Sequence, residues 1–165
     1  ERTTRILARS DWTRVAIRGD PALAVHIPAS GAFNGPLTPE ACAGSLGRAL
    51  PFFGRHFPGI RPRLLACASW MLDPQLARFL PADSNLVRFQ GRFHLVPVPG
   101  ADDRQTLERV FGGPVTDWSA VPRDTSLRRV VADQAAAGLR WRMGGGIVVP
   151  DDAAAGATGP GTAGR

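Results

Sequence analysis

Residues 63–72 read RLLACASWML, and residues 73–81 continue with DPQLARFLP. The first stretch is mostly apolar without interruption, as expected for a central strand that is covered on both faces. Asp73 and Pro74 then predict a helix start, because an acidic cap followed by proline suits the first turn of a helix. Pro81 ends that short helix. The middle of the chain therefore predicts a buried strand that leads directly into a helix.

The residues before this strand predict a hairpin, a loop and a long helix. Residues 13–18 alternate between apolar and polar side chains, and a turn separates them from a second strand, Ala22 to Ile27. Residues 28–37 are rich in glycine and proline, which is typical of a loop. Thr38 predicts the N-cap of a helix whose apolar residues recur at helical spacing. We expect Pro51 to bend or divide this helix.

The segment Leu86 to Val98 carries the clearest periodic pattern in the chain, because apolar and polar residues alternate along it. We interpret it as a strand with one apolar and one polar face. The apolar face consists of Val87, Phe89, Phe93 and Leu95. The polar face consists of Arg88, Gln90, Arg92 and His94.

The rest of the chain predicts two helices, one strand and a tail. Glycines close a helix from Asp103 to Phe111 and another from Ser126 to Ala137. Residues 139–149 suggest a last strand that three glycines interrupt. Residues 150–165 are too poor in large apolar side chains to build a core, and we expect a disordered tail.

Composition indicates one globular domain, since the chain has 165 residues, of which 44% are hydrophobic and 21% charged. We expect an α+β domain over Trp12 to Val149, preceded by a lead-in at residues 1–11. Two hairpin-like strands come before the first long helix, which favours a mixed sheet over a parallel one. No apolar run is long enough to cross a bilayer, so we expect no membrane partner and a cytoplasmic protein.

The net charge of +6 and the isoelectric point of about 11.2 do not by themselves indicate nucleic-acid binding. All 20 basic residues are arginine, and the chain lacks both Lys and Tyr, so a modest charge excess raises the isoelectric point strongly. The arginines are scattered and few aromatic residues lie between them, so no nucleic-acid partner is expected. Cys42 and Cys67 have no metal-type spacing to the histidines and predict buried thiols rather than a metal site.

Residues 28–37 could hold an anion where they lead into the helix at Thr38. The N-terminus of a helix offers free N–H groups and a positive dipole end, which suit a phosphate. Gly31 and Gly35 would let a ligand approach the backbone closely. The alternative is a plain connecting loop, because the segment matches neither the P-loop nor the dinucleotide-binding pattern.

A second candidate site lies at the end of the predicted strand 63–72, where ligands often bind in open sheets. Ser69 and Asp73 flank Trp70 there and could carry chemistry. The alternatives are a small strand residue, a helix cap and a core tryptophan.

The polar face of residues 86–98 is a further candidate. Arg88 and Arg92 could bind a carboxylate or phosphate, and His94 could transfer a proton. A strand that exposes one face to water would show the same pattern.

Five stretches of the chain are familiar when taken together: HIP (26–28), GPLTPE (35–40), SWMLDPQL (69–76), NLVRFQ (85–90) and PRDTSL (122–127). They resemble the GNAT-like C-terminal domain of a group of actinobacterial acyltransferases. This resemblance implies a mixed β-sheet that splays open between two parallel strands, with helices on both faces and an acyl-CoA in the opening. The strand Ala22 to Ile27 would then pair with the pantetheine arm, and the loop that follows would receive the diphosphate.

The resemblance also implies functional residues. The implied cofactor contacts are His26, Ile27, Ser30, Gly31, Asn34, Gly35 and Thr38. The implied substrate contacts are Trp70, Arg88, Gln90 and Arg92. The predicted catalytic residues are Ser69 and Asp73, which like Ser84 could by position replace the tyrosine acid that this chain lacks, and His94 from the polar face of residues 86–98.

The implied activity is N-acyl transfer from acetyl-CoA or another acyl-CoA to a small-molecule amine acceptor. The amine would attack the thioester directly, while a base or water chain removes a proton and an acid protonates the leaving thiolate. An N-terminal domain upstream is also implied, and a chain that opens on Glu1 suits it. The alternative is a GNAT-shaped binding or interaction module without catalysis, because the chain has no Tyr to act as the usual acid and residues 29–37 lack the usual phosphate signature.

Overall fold

The computed structural model describes six parts of the chain, which are residues 21–27, 37–60, 62, 64–96, 98 and 102–149. The predicted lead-in, the first hairpin strand and the predicted tail lie outside these residues.

Four strands form one mixed sheet. They are β1 (Ala22–Ala24), β2 (Leu64–Ser69), β3 (His94–Val96) and β4 (Gly144–Val148). Their order across the sheet is β1-β2-β4-β3. Strand β1 pairs parallel with β2, whereas β4 pairs antiparallel with β2 and with β3. The predicted mixed α+β architecture is confirmed.

Strand β2 is central, as its apolar run predicts, but it ends earlier than expected. The Ser69 hydroxyl accepts a hydrogen bond of 3.2 Å from the Met71 N–H. This local bond offers the backbone an alternative to the strand. The chain therefore turns into a 3₁₀ segment, Trp70–Leu72, where the sequence predicts three more strand residues.

Helix α1 (Pro39–His56) begins where the sequence predicts. The Thr38 hydroxyl accepts a hydrogen bond of 3.2 Å from the Ala41 N–H and caps the helix. The helix continues through Pro51, so the expected division at that residue is wrong. Cys42 and Leu46 on its inner face join Leu65 and Cys67 of β2 in the first hydrophobic core.

The predicted strand Leu86–Val98 is the main error of the sequence analysis. The structure has a short helix α2 (Leu76–Phe79), a second helix α3 (Asn85–Gln90) and only three strand residues, those of β3. Ser84 caps α3, since its hydroxyl accepts a hydrogen bond of 3.3 Å from the Val87 N–H. Phe89 and Gln90 are buried at the end of α3, and Phe93 is buried in the turn that leads from α3 to β3.

Helices α4 (Arg104–Phe111) and α5 (Ser126–Ala136) form where the sequence predicts. Gly112 and Gly138 follow them at φ angles of 88° and 92°, the left-handed conformation that glycine adopts without strain. Both helices pack in a second hydrophobic core around Trp141, whose indole N–H donates a hydrogen bond of 3.2 Å to Val131 O.

Three consecutive glycines lie inside β4 and do not interrupt it, contrary to the prediction. A Cβ on Gly144 would overlap the carbonyl of Leu72 and lie 2.7 Å from the backbone N of Asp73. A Cβ on Gly146 would lie 2.8 Å from the Cβ of Phe93. Glycine is therefore required in this strand because neighbouring chain segments approach its backbone closely.

Candidate functional site

Strands β1 and β2 separate before either chain segment ends. Their parallel pairing covers Ala22–Ala24 of β1 and stops at Ala66 of β2. The last bond runs from the Val25 N–H to Ala66 O and measures 2.8 Å. Strand β2 continues to Ser69, held by β4 alone among the described residues. We call the opening between residues 25–27 and residues 67–69 the β1–β2 gap.

Ala68 presents its peptide groups to the β1–β2 gap. Alternate residues of a strand turn their N–H and C=O groups to the same edge, so Ala68 faces the same side as Ala66. Between the described segments 25–27 and 64–69, the next bond of such a ladder, from the Ile27 N–H to Ala68 O, is not formed. The gap therefore has backbone hydrogen-bonding groups on its β2 wall.

The β1 wall of the gap has one apolar and one open side. Leu23, Val25 and Ile27 are half-buried and pack against the first core beside α1. His26 is exposed. Side chains alternate across an extended chain, so His26 and Ile27 project from opposite sides, although the sequence predicts both as cofactor contacts.

The start of α1 lies beyond the β1 wall of the gap. Few of its backbone N–H groups are free to donate a hydrogen bond to a ligand. Pro39 has no N–H, and the Thr38 hydroxyl already occupies the Ala41 N–H. The described first turn therefore offers few free N–H groups to an anion. Four predicted cofactor residues of the preceding loop lie outside the described residues: Ser30, Gly31, Asn34 and Gly35.

Arg92 lies beside the first turn of α1. Its Nη2 donates a hydrogen bond of 2.6 Å to Pro39 O. Burial raises the pKa of the nearby Cys42 thiol, and the Arg92 charge opposes that rise. A cation next to the positive end of a helix dipole creates a local potential that favours an anion.

The predicted polar strand face of Arg88, Gln90, Arg92 and His94 does not exist, and its residues are dispersed. Arg88 is exposed on α3. Gln90 is 4% exposed, and its Nε2 donates hydrogen bonds of 2.7 Å to Met71 O and 2.8 Å to Asp73 O. The prediction that these residues share one strand face is wrong, because the backbone between residues 85 and 90 is helical.

Ser69 is the last residue of β2 and lies at the gap. Its hydroxyl group can still donate a hydrogen bond. Its Oγ accepts from the Met71 N–H, while the hydroxyl hydrogen stays available because a hydroxyl both donates and accepts. Trp70, which the sequence offers as a substrate contact, is 9% exposed and packs in the second core with Leu76 and Leu80. The structure thus supports the core interpretation of Trp70.

Asp73 is fully buried and its carboxylate binds only N–H groups. Oδ1 accepts from the Gln75 N–H at 2.9 Å. Oδ2 accepts from the Arg142 N–H at 2.8 Å and from Gln75 Nε2 at 3.1 Å. Asp73 is not the N-cap of α2, because Gln75 holds that position without a side-chain cap bond; the carboxylate instead stabilises the turn before the helix and joins it to the segment before β4. The sequence analysis missed Gln75, although the stretch SWMLDPQL contains it.

His94 is distant from Ser69 in the sheet. Strand β4 lies between their strands, so they are about two strand spacings apart across the sheet and three residues apart along β4, a separation of roughly 14 Å. His94 pairs with Ile147 and Ser69 with Gly144, and these β4 positions lie on opposite faces because they are three residues apart. Ser69 and His94 therefore cannot act on one atom directly.

The described residues contain no group of three or more His, Cys, Asp and Glu side chains that could hold a metal ion. Within the same residues, every helix is too short or too polar to cross a bilayer.

The family model described as "GNAT-like C-terminal domain" matches residues 5–148. The chain belongs to this family. Solved acyltransferase structures share the fold of this GNAT-like domain. One, in complex with decanoyl-CoA and teicoplanin, is 38% identical and superposes with a TM-score of 0.73. Another, in complex with CoA and 10C-teicoplanin, is 36% identical with a TM-score of 0.72.

The matched part of the solved acyltransferases is less than half of their length. Each match covers 82% of this chain and 42% of the solved chain. No curated protein matches the chain significantly.

Proposed function

We propose that this GNAT-like domain binds an acyl-CoA in the β1–β2 gap and transfers the acyl group to an amine of a small-molecule acceptor. The observation that carries the proposal is the early end of the β1–β2 ladder while both segments continue. An extended ligand with amide groups can complete such an interrupted strand edge. The pantetheine arm of CoA is a ligand of this kind.

The similar solved acyltransferases support the choice of ligand, because they are complexes with CoA, decanoyl-CoA or octanoyl-CoA. Teicoplanin in two of these complexes supports a small-molecule acceptor. Their greater length supports a further domain as a partner. For this chain, we propose an amine acceptor, a further domain as a partner and a cytoplasmic location.

The diphosphate of CoA would lie near the start of α1. Arg92 supplies a positive charge there, and the helix dipole adds to it. The loop of residues 28–36 would supply the backbone donors that Thr38 and Pro39 leave scarce.

The chemistry would take place at the end of β2. The Ala68 N–H faces the gap and could bind the thioester oxygen, on which negative charge develops when the amine nitrogen attacks the carbonyl carbon. The carbon–sulfur bond then breaks. Ser69 could protonate the leaving thiolate and recover a proton from the ammonium through water. His94 is too remote for a direct part in this step.

Thermal denaturation with added ligand tests the proposal. At about 100 times the dissociation constant, a bound ligand stabilises the folded state by about 2.7 kcal/mol. For a protein of this size, such a gain raises the melting temperature by about 5–11 °C. We expect this rise with CoA and with decanoyl-CoA. An unchanged melting temperature at millimolar concentrations of both would refute the proposal.

Two arginine variants localise the ligand. We expect Arg92→Gln to weaken CoA binding, because it removes the charge beside α1. Arg109→Gln is the matched control, since Arg109 is exposed on α4, away from the gap. Equal affinities of the two variants would contradict the placement of the diphosphate.

A second candidate function is a ligand-binding module without catalysis. Its support is that the Asp73 carboxylate is sealed in hydrogen bonds and His94 lies on the other face of the sheet from Ser69. Release of free CoA from an acyl-CoA in the presence of amines would decide between the candidates. Turnover that Ser69→Ala abolishes without loss of CoA binding would exclude the binding module.

A further inference from the structure

The main chain just after β2 is held from α3 by a single side chain. One amide nitrogen, Nε2 of Gln90, donates to Met71 O at 2.7 Å and to Asp73 O at 2.8 Å. The two carbonyls are two residues apart. Each accepts a hydrogen bond from the same NH₂ group, which therefore fixes the distance between them. Gln90 is 4% exposed, which keeps water from replacing either bond.

The same turn is held from the β4 side by Asp73. Its carboxylate binds the Arg142 N–H at 2.8 Å, two residues before β4 begins. Gln75 Nε2 binds both Asp73 Oδ2 at 3.1 Å and Arg140 O at 3.0 Å. Because Gly144 has no Cβ, the Leu72 carbonyl lies directly against β4. The turn is therefore fastened to two different elements.

Asp73 fixes the end of β2 on the β4 side, away from β1, and Gln90 fixes it to α3. Among the described residues, no hydrogen bond joins the peptide groups of the two walls beyond Val25 and Ala66, and such groups favour closure of the ladder because bonds between the walls would satisfy them. Closure would require the end of β2 to move towards residues 25–27. The bonds from Gln90 and Asp73 oppose this movement because it would break buried hydrogen bonds.

We propose that Gln90 and Asp73 are positioning residues that keep the β1–β2 gap open at the width that a thioester requires. The inference rests on the proposed function. Neither residue touches the ligand, because the bonds of both side chains go to the turn and to the segment before β4. They act on the thioester through the position of Ala68 and Ser69.

Binding measurements with CoA and decanoyl-CoA test this inference without any acceptor. CoA alone reports on the diphosphate and pantetheine contacts. The ratio of the two affinities reports on the acyl thioester. We expect the wild-type chain to prefer decanoyl-CoA, because only that ligand places a thioester and its alkyl chain at the end of β2.

The test variant is Gln90→Met, which keeps the length of the side chain and removes both donors. We expect its affinity for CoA to stay unchanged and its preference for decanoyl-CoA to fall about tenfold, the ratio that one lost hydrogen bond represents. Gln75→Leu removes only the bonds of Nε2 and should lower the preference in the same direction. It serves if Gln90→Met does not fold.

Val131→Ala is the matched control, because it destabilises the second core and removes none of the hydrogen bonds that hold the turn. Titration calorimetry well below the melting temperature of each variant should show the wild-type preference in this control. A wild-type preference in Gln90→Met, an equal loss in Val131→Ala, or a wild-type chain that binds both ligands equally would overturn the inference. A wild-type chain that binds neither ligand would instead remove the proposed function itself.

Discussion

Replacement of single glycines by alanine should have opposite effects in β4 and in α1. In Gly144→Ala the new Cβ would meet main-chain atoms, the Leu72 carbonyl and the Asp73 nitrogen, the latter at 2.7 Å. No side-chain rotation relieves a contact with backbone, so either β4 or the turn must shift. We expect a loss of about 3 kcal/mol, the upper end of the usual cost of overpacking.

Alanine variants of two other glycines serve as references for this loss of stability. A Cβ on Gly145 would meet the Cγ2 atoms of Val96 and Val98 at 2.9 Å, and these side-chain ends can move, so the cost should be smaller. Gly54 in α1 has open space around its Cβ position. Gly54→Ala should therefore stabilise the helix by about 0.5–1 kcal/mol, because alanine restricts the unfolded chain and favours helix.

Thermal and urea denaturation of the three variants give the assay. A loss of about 3 kcal/mol corresponds to a melting temperature about 6–12 °C lower for a protein of this size. From the most to the least stable, the expected order is Gly54→Ala, wild type, Gly145→Ala and Gly144→Ala. Backbone atoms move less readily than the ends of side chains. Equal stability of Gly144→Ala and Gly145→Ala would therefore refute this prediction.

Three further predictions concern a hydroxyl, a cap and the thiols. Thr106 Oγ1 is buried without a hydrogen-bond partner among the described residues, so Thr106→Val should leave the free energy of unfolding unchanged or raise it; a clear loss in urea denaturation would reveal a partner. Thr38→Ala removes the bond to the Ala41 N–H and should lower the free energy of unfolding by about 1 kcal/mol, whereas an unchanged value would mean that the cap is replaced by water. Burial raises the pKa of both Cys42 and Cys67. Their contribution to stability is therefore complete below the ordinary thiol pKa and is lost as pH rises through the raised values. The chain has no Lys or Tyr to titrate in this window, so urea denaturation on either side of it should show the loss, and a pH-independent stability would contradict it.

Local chemistry made several elements predictable. Thr38 and Pro39 mark the start of α1 because they suit the first turn of a helix whatever surrounds it. Gly112 and Gly138 end their helices because few other residues adopt a positive φ there without strain. The apolar run of β2 also identified a central strand, although the Ser69 hydroxyl ended it three residues early.

The segment of residues 86–98 shows where local pattern failed. Alternation of apolar and polar residues fits a strand, and the buried positions fit a helix equally well over so short a stretch. The choice depended on Gln90, a polar residue whose buried position is favourable only because Met71 O and Asp73 O lie within reach. Neither carbonyl is near Gln90 in sequence, so the burial of Gln90 has no local signal; the Ser84 N-cap was the one local sign of a helix, and the alternating pattern outweighed it.

The candidate site also combines features that the sequence predicts with features that depend on tertiary packing. The sequence by itself determined the residue types near the gap, the helix start beside it and the family stretches, because each depends on a few consecutive residues. Only the tertiary structure decided that the β1–β2 ladder stops at Ala66, that Arg92 lies against α1, and that Ser69 and His94 face opposite sides of the sheet. These features are distances between segments far apart in the chain, and such distances are set by how the elements pack and not by any one of them.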